Sequence, residues 1–400
     1  MSVADAGPLD GVTILDFTRV LSGPYCTMLL ADMGARVIKI EQPGRGDDTR
    51  AWGPPFVNGE SAYFLSINRN KESLTLDLKH PAARAVLNCL LPRADVLVEN
   101  FRPGTMDRLG LGYDALAPRY PRLVYCSISG FGQTGPRRGE PGYDAVMQGE
   151  GGLMSITGTP DGPPFRLGVA ISDIVSGMFA AQGIAMALLA RVRSERGQRV
   201  DVGMLDSTVA LLTYQAGIYF ATGTTPGRMG NRHPTIVPYE TFAASDGDFV
   251  VAVGNDDQWR RFCRLLGAEE IAGDERFATN SARVRNYDAL RPLLVERLRS
   301  RTRREWVENL KEAGVPCGSV REVGDVLQDP QLDARQMIET VEHMTAGAVR
   351  VLGVPIKLSD TPGGVRTAPP ALGQHTRQIL EGECGMSAGQ IQEMSRTGGI

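Results

Sequence analysis

The chain has 400 residues, more than one ordinary hydrophobic core accommodates, and so predicts two or more packed units. Its 42% apolar and 22% charged residues read as globular, and a net charge of -3 offers no basic surface for nucleic acid or an anionic membrane. Six dispersed cysteines without a CxxC pair and four scattered histidines argue against a structural zinc site. Read as unpaired, the cysteines suit a reducing compartment. With no secretory pattern at the N-terminus and no apolar run of membrane length, the expectation is a cytoplasmic protein.

In chain order, the first two hundred residues alternate strand and helix signals. Residues 12–15 form a short buried strand, a helix runs over 25–33 and stops at Gly34, and 36–40 is the second strand. LTLDL at 74–78 alternates apolar and polar side chains as a half-buried strand does. A helix over 82–91 leads to a strand at 95–98, and 123–128 is a further β-branched, apolar run. This alternation predicts an α/β fold: a large Rossmann-like open parallel sheet with helices on both faces, binding ligand at the carboxyl ends of its strands. No GxGxxG turn follows the first strand, so the sheet does not of itself imply NAD or FAD.

Beyond Asp173 a helix reaches about residue 192, with small residues such as Gly177, Ala180 and Gly183 that let another element approach closely. A strand starts at 197–200 and residues 204–220 are helical, closing the N-terminal part of a large domain at 1–220. Residues 221–238 are dense in Gly, Pro, Thr and Arg and read as a linker or active-site loop. Residues 239–325 form a smaller α+β domain, with a strand at 249–253 and helices near Trp259, Leu290 and Trp306. Residues 326–400 are helical and loop-rich, with a late strand at 349–354.

A run of motifs adds what periodicity cannot. These are DFTRVLSGP (16–24), GARVIKIEQPGRGDDTR (34–50), NRNKESLTLDLK (68–79), VENFRPGTMDRLGLGY (98–113), SGFGQTGP (129–136), PGYDAVMQ (141–148), GVAISDIVSG (168–177), RGQRVDV (196–202), AGVPCGSV (313–320) and LGQHT (372–376). In this order they resemble the family III CoA-transferases, the CaiB/BaiF group that contains formyl-CoA transferase. GDDTRAWGPPF (46–56), GYDAVMQGEGGLMSITG (142–158) and HPTIVPYE (233–240) are most similar to its succinyl-CoA:glutarate, or dicarboxylate, branch. Leu21 stands where formyl-CoA transferases carry glutamine, and their glycine run is missing after residue 228; both point away from oxalate or formyl-CoA chemistry. The resemblance implies an interlocked, ring-like homodimer, with 326–400 a linker and C-terminal return to the large domain. It implies acyl-CoA and a carboxylic acid as substrates and no tightly bound cofactor.

Read by itself, Asp173 suits a helix N-cap better than a nucleophile. The resemblance makes it the acyl carrier, and a helix N-terminus favours the ionised form that attack requires. Gly230, with Gly227 and Asn231, is a candidate source of backbone N–H groups for an oxyanion. By resemblance Val20, Leu21, Leu76, Asn100, Phe101, Arg108, Tyr143 and Met204 fall on the CoA side, with Gln42 where formyl-CoA transferase has arginine. Lys79 and Arg102 are phosphate partners by charge. Arg19, Arg50, Trp52, Tyr63 and His233 stand on the substrate side, where an arginine fork suits an acceptor's free carboxylate. Asp47 or Asp48 is the alternative partner for Arg50.

Two other readings remain at this point. α-Methylacyl-CoA racemases pair the matching aspartate with a histidine, but Tyr143 stands in that place, and a phenol is a poor base near neutral pH. A non-catalytic CoA-binding protein is less economical, because Asp173 is present.

Overall fold

The structure is a computed structural model that describes residues 7–400; residues 1–6, the start of the segment read as non-secretory, lie outside them. The chain divides into two compact units. The first takes the chain up to Leu153, Arg166–Ala216 and Pro330–Ile400; the second takes Met154–Phe165 and Gly217–Asp329.

The first unit is built on β1 (Thr13–Asp16), β2 (Arg36–Glu41), β3 (Lys71–Thr75), β4 (Val96–Glu99), β5 (Val124–Ser129) and β6 (Arg199–Gly203). Every ladder is parallel. The order is β3-β2-β1-β4-β5-β6, so the winding reverses between β1 and β4 and leaves a crevice beyond their carboxyl ends. The strands read as apolar runs because both faces are covered. Leu15, Ile38 and Leu97 enter one core, with the helix α2 (Ala83–Leu90). Their neighbours Ile14, Val37, Val96 and Val98 enter the other core, against α1 (Ser22–Asp32) and α4 (Ile171–Ser194). The period of two along each strand makes that division. Between α2 and α4 lies α3 (Asp144–Glu150), and α5 (Met204–Ala210) follows β6.

The second unit has an antiparallel sheet of β7 (Tyr239–Ala243), β8 (Asp248–Ala252) and β9 (Cys317–Ser319), in the order β9-β8-β7. Its core gathers Phe242, Phe249, Trp259, Phe262, Leu290 and Trp306. The buried Trp306 indole donates to the Leu298 carbonyl at 2.6 Å, so its polar edge is satisfied.

Some elements differ from the sequence reading. The strand expected over LTLDL is Lys71–Thr75, because buried Lys71 and Ser73 take inward positions through polar partners. The 204–220 helix breaks after Ala210 and resumes over Thr213–Thr222, with Thr213 at a φ of 37°. The late strand is one arm of a hairpin, β10 (Ile338–His343) and β11 (Gly347–Leu352). Helix α4 is long and apolar enough to cross a membrane by length and composition, which the sequence reading did not find. One side of it buries Ala180, Ile184, Ala187 and Leu188, while Met178, Met186, Leu189 and Val192 are exposed.

The cysteines are not all unpaired. Cys89 at the end of α2 is bonded to Cys384, 295 residues on, so cysteine usage no longer argues for a reducing compartment. The bond fastens a C-terminal segment that covers the edge strand β3. There His375 N–H donates to the Ser73 carbonyl at 3.0 Å, and Asp77 N–H donates to the Gly399 carbonyl at 2.9 Å. Replacing Cys89 and Cys384 by serine is expected to lower stability by about 2–5 kcal/mol, seen as a lower melting temperature. A non-reducing digest should also show the joined peptides; separate peptides and unchanged melting would refute the link.

Candidate active site

The crevice between β1 and β4 opens into a cavity of about 190 Å³. The loop after β1 brings Arg19 and Val20 to it; the loop after β4 brings Asn100, Phe101 and Arg102; Tyr143, Asp173 and Met204 come from the starts of α3, α4 and α5. A second cavity of about 490 Å³ shares Arg19 and Phe101 with it and is walled by Gln42, Leu76 and Lys79. The sheet's switch point thus gathers most of the residues expected on the CoA side.

Asp173 is not the cap of its helix. Ala170 occupies the N-cap with no side-chain bond, and Asp173 lies in the first turn. The Ser172 N–H donates instead to Asp144 Oδ1 at 2.9 Å. Asp144 is itself fixed by Gln148, whose Nε2 donates to Oδ2 at 2.7 Å. The Asp173 carboxylate shares a cavity with Ser22, the first residue of α1, whose hydroxyl and backbone N–H favour its ionised form. One carboxylate therefore stands in the first turn of α4 and at the N-terminus of α1. Gly177, four residues on and on the same face, permits the approach: a Cβ there would lie 2.5 Å from the Ser22 carbonyl oxygen.

The helix ends do not keep Asp173 at an ordinary acidity. Burial, then the negative charge of Asp144, push its pKa up to about 6, and the two Ser22 donors only partly offset them. It stays mainly ionised at neutral pH but is a stronger base, and a better nucleophile, than a surface carboxylate. Tyr63 feels the same charges: burial, then Asp173, Asp144 and Asp47, push its hydroxyl up to about 12. Its ring stands edge-on to Trp52 at 5.2 Å.

The opposite wall is set by polar side chains at the strand ends. Asn100 grips the Arg19 backbone twice: Oδ1 accepts from its N–H at 2.9 Å, and Nδ2 donates to its carbonyl at 2.7 Å. Glu99 Oε2 accepts from Phe101 N–H at 2.9 Å. The Arg19 guanidinium, half exposed, sits 5.1 Å over the Phe101 ring and 3.5 Å from Asp48.

Other expected site residues stand apart. Leu21 is buried with Met28 and Ile67 beneath the turn. Arg108 is exposed, donates to Thr105 Oγ1 at 3.0 Å and lines neither cavity. Arg50 pairs with neither Asp47 nor Asp48. The short turn Asp48–Ala51 folds it back onto the end of β2, where its Nε and Nη2 each donate to Glu41 at 2.8 Å, over the Phe64 ring. Gly230 and His233 belong to the second unit. Gly230 is no spare donor, since its N–H goes to the Gly158 carbonyl at 2.9 Å. His233 stacks on Tyr239 at 5.2 Å, and burial lowers its pKa.

Sequence reasoning missed Ser22 and Asp144. Both lie inside quoted motifs, SGP and PGYD, and Ser before a helical run ending at Gly34 was a usable helix-start signal. Among the described residues no cluster of three or more His, Cys, Asp or Glu is placed to hold a metal ion.

Residues 9–376 match the family model of CoA-transferase family III. The chain is 46% identical to an acetyl-CoA:oxalate CoA-transferase of Acetobacter aceti, over 88% of this chain and 90% of that protein. It is 41% identical to the succinyl-CoA:glutarate CoA-transferase of Mus musculus, over 98% of this chain and 90% of that one. A crystal structure of a CAIB/BAIF family protein from Brucella suis superposes with a TM-score of 0.84 at 43% identity, covering 94% of this chain and all of that one.

A pKa of about 6 at Asp173 predicts that kcat/KM falls on acidification with a midpoint near pH 6. The same shift has a sign for stability. The folded state holds the proton more tightly than the unfolded chain, whose carboxyl titrates near 3.8, so stability is lost as pH rises through the window from 3.8 to about 6. Asp173→Asn should remove that loss and melt no lower than wild type at pH 8; a clear deficit there would contradict the shift.

Proposed function

The chain belongs to CoA-transferase family III and is a CoA-transferase, and from that premise we propose that Asp173 carries the acyl group while CoA passes from a donor thioester to a dicarboxylic acid. Succinyl-CoA is the donor we favour. Relatives at 39–41% identity are named as CoA-transferases of succinyl-CoA with glutarate, D-citramalate or mesaconate.

The steps conserve charge and need no proton transfer. The ionised Asp173 carboxylate attacks the thioester carbonyl, the C–S bond breaks, and CoA leaves as thiolate from a mixed anhydride. The thiolate attacks the aspartyl carbonyl of that anhydride, releasing the donor acid as carboxylate and leaving an aspartyl-CoA thioester. The acceptor carboxylate then attacks this thioester and expels the thiolate. The thiolate takes the acceptor's acyl group and frees Asp173. Twice in the cycle negative charge develops on the oxygen of the Asp173 carbonyl, which faces the N–H and hydroxyl of Ser22. Ser22 thus takes the oxyanion role expected of Gly230.

The observation that carries this reading is a partly buried carboxylate of raised pKa, beside Ser22 at the sheet's switch point, in a cavity that adjoins a larger one. The larger cavity takes the CoA body, with Phe101 against its apolar parts and Lys79 for phosphate. Arg19, loosely paired with Asp48, takes the acceptor's far carboxylate in place of Arg50, whose fork is spent on Glu41. The exposed apolar side chains of α4, Met178, Met186, Leu189 and Val192, suit coverage by a second copy in an interlocked homodimer. A racemase role remains disfavoured because Tyr143 supplies no base near neutral pH.

Asp173→Ala is expected to lose transfer of CoA from succinyl-CoA to labelled glutarate completely, while melting as a folded protein. Full activity in that variant would sink the assignment. Exchange of an α-proton with deuterated water by wild type would revive the racemase reading.

A further inference from the structure

Between Asp16, the last residue of β1, and Ser22, the first of α1, the chain reverses within five residues. Val20 makes the reversal with a φ of 70°, a left-handed conformation that a β-branched residue rarely adopts and keeps only when its surroundings impose it.

The surroundings are side chains from three strand ends, each gripping a different backbone group. Asp16 Oδ1 accepts from Thr18 N–H at 2.9 Å, and Lys39 Nζ donates to the Thr18 carbonyl at 2.8 Å. Asn100 holds both backbone groups of Arg19. Asp47 Oδ1 accepts from Val20 N–H at 3.2 Å. Asp47 and Lys39 are themselves joined at 2.8 Å, with neither side chain exposed. Glu41, clamped by Arg50, anchors Asp47 by accepting from its N–H at 2.9 Å. Thr18 lies so tightly on Gly23 that a Cβ there would sit 2.3 Å from the Thr18 Cβ, so the turn and the first turn of α1 move together. The direction in which Ser22 presents its donors therefore depends on Val20 staying where Asp47 holds it.

We propose that Asp47, buried against Lys39, is a positioning residue that holds the strained Val20 turn and thereby aims Ser22 at Asp173. The inference rests on Asp173 being the acyl carrier. It assigns to a buried ion pair outside the smaller cavity a part in the transfer step. Asp47 and Lys39 also line the larger cavity, so a plain CoA-binding role is the competing explanation, and it differs in its kinetic signature.

The test is a kinetic cycle of Asp47→Ala and Val20→Gly, each alone and together, with acyl-CoA and diacid varied separately. Misplacing Ser22 should lower kcat about tenfold or more in Asp47→Ala, with KM for acyl-CoA changed less than about threefold. Glycine adopts this backbone conformation without being held, so in the Val20→Gly background the loss of kcat should shrink to about threefold or less. A loss equal in both backgrounds, no loss of kcat, or a loss confined to KM for acyl-CoA would overturn the proposal. Should Asp47→Ala not fold, Asp47→Asn, which keeps its size but gives up the charge pair with Lys39, is judged by the same comparison. Asp173→Ala separates the two levels: if it is inactive and the cycle shows no coupling, the positioning role fails and the acyl carrier stands, whereas an active Asp173→Ala removes the carrier itself.

Discussion

The first residue of one helix, Ser22, stands beside the carboxylate in the first turn of another, Asp173, and the site depends on that approach. The carboxylate must be buried enough to be basic and supported enough to remain an anion. Burial and Asp144 push in one direction; the Ser22 N–H and hydroxyl push in the other. The balance requires α1 and α4 to touch, which Gly177 permits beneath Ser22. It also requires both helices to start beside one crevice, which the reversal of strand order between β1 and β4 provides.

The carboxyl ends of β1 and β2, with Lys71 reaching them from the start of β3, carry an unusual density of buried charge. Asp16 pairs with Lys71, Lys39 with Asp47 and Glu41 with Arg50, almost all without exposure to solvent. Such pairs add little to net stability, because desolvation offsets the attraction. Here their polar atoms also fix backbone around the site: Lys39 bonds the Thr18 carbonyl after β1, Lys71 the Pro24 carbonyl in the first turn of α1, and Arg50 the Pro370 carbonyl of the C-terminal segment. The charges serve geometry. A loop held by apolar packing alone would not have its carbonyl and N–H directions specified.

Much of this was legible in the residues, and what was not has physical reasons. The sheet was legible because its strands are buried on both faces and so read as apolar, β-branched runs. The strand at Lys71–Thr75 was not, since Lys71 and Ser73 point inward to partners that only the folded chain supplies. Asp173 could be found only through its motif; in isolation it suited a cap, and nothing local revealed that Asp144, 28 residues earlier, bonds the Ser172 N–H in its stead. Arg50 sits beside Asp47 and Asp48 in sequence, yet the turn carries it to Glu41. Cys89 and Cys384 meet across 295 residues, a pairing that no spacing rule reports.

The account's central claim is that the acyl group and then CoA ride on Asp173. Incubating the wild-type protein with succinyl-CoA, adding hydroxylamine and mapping the peptides by mass spectrometry tests it most directly. The account predicts an acyl-CoA-dependent hydroxamate on the side chain of Asp173. A hydroxamate on another carboxylate, or turnover with no trappable adduct at all, would contradict it.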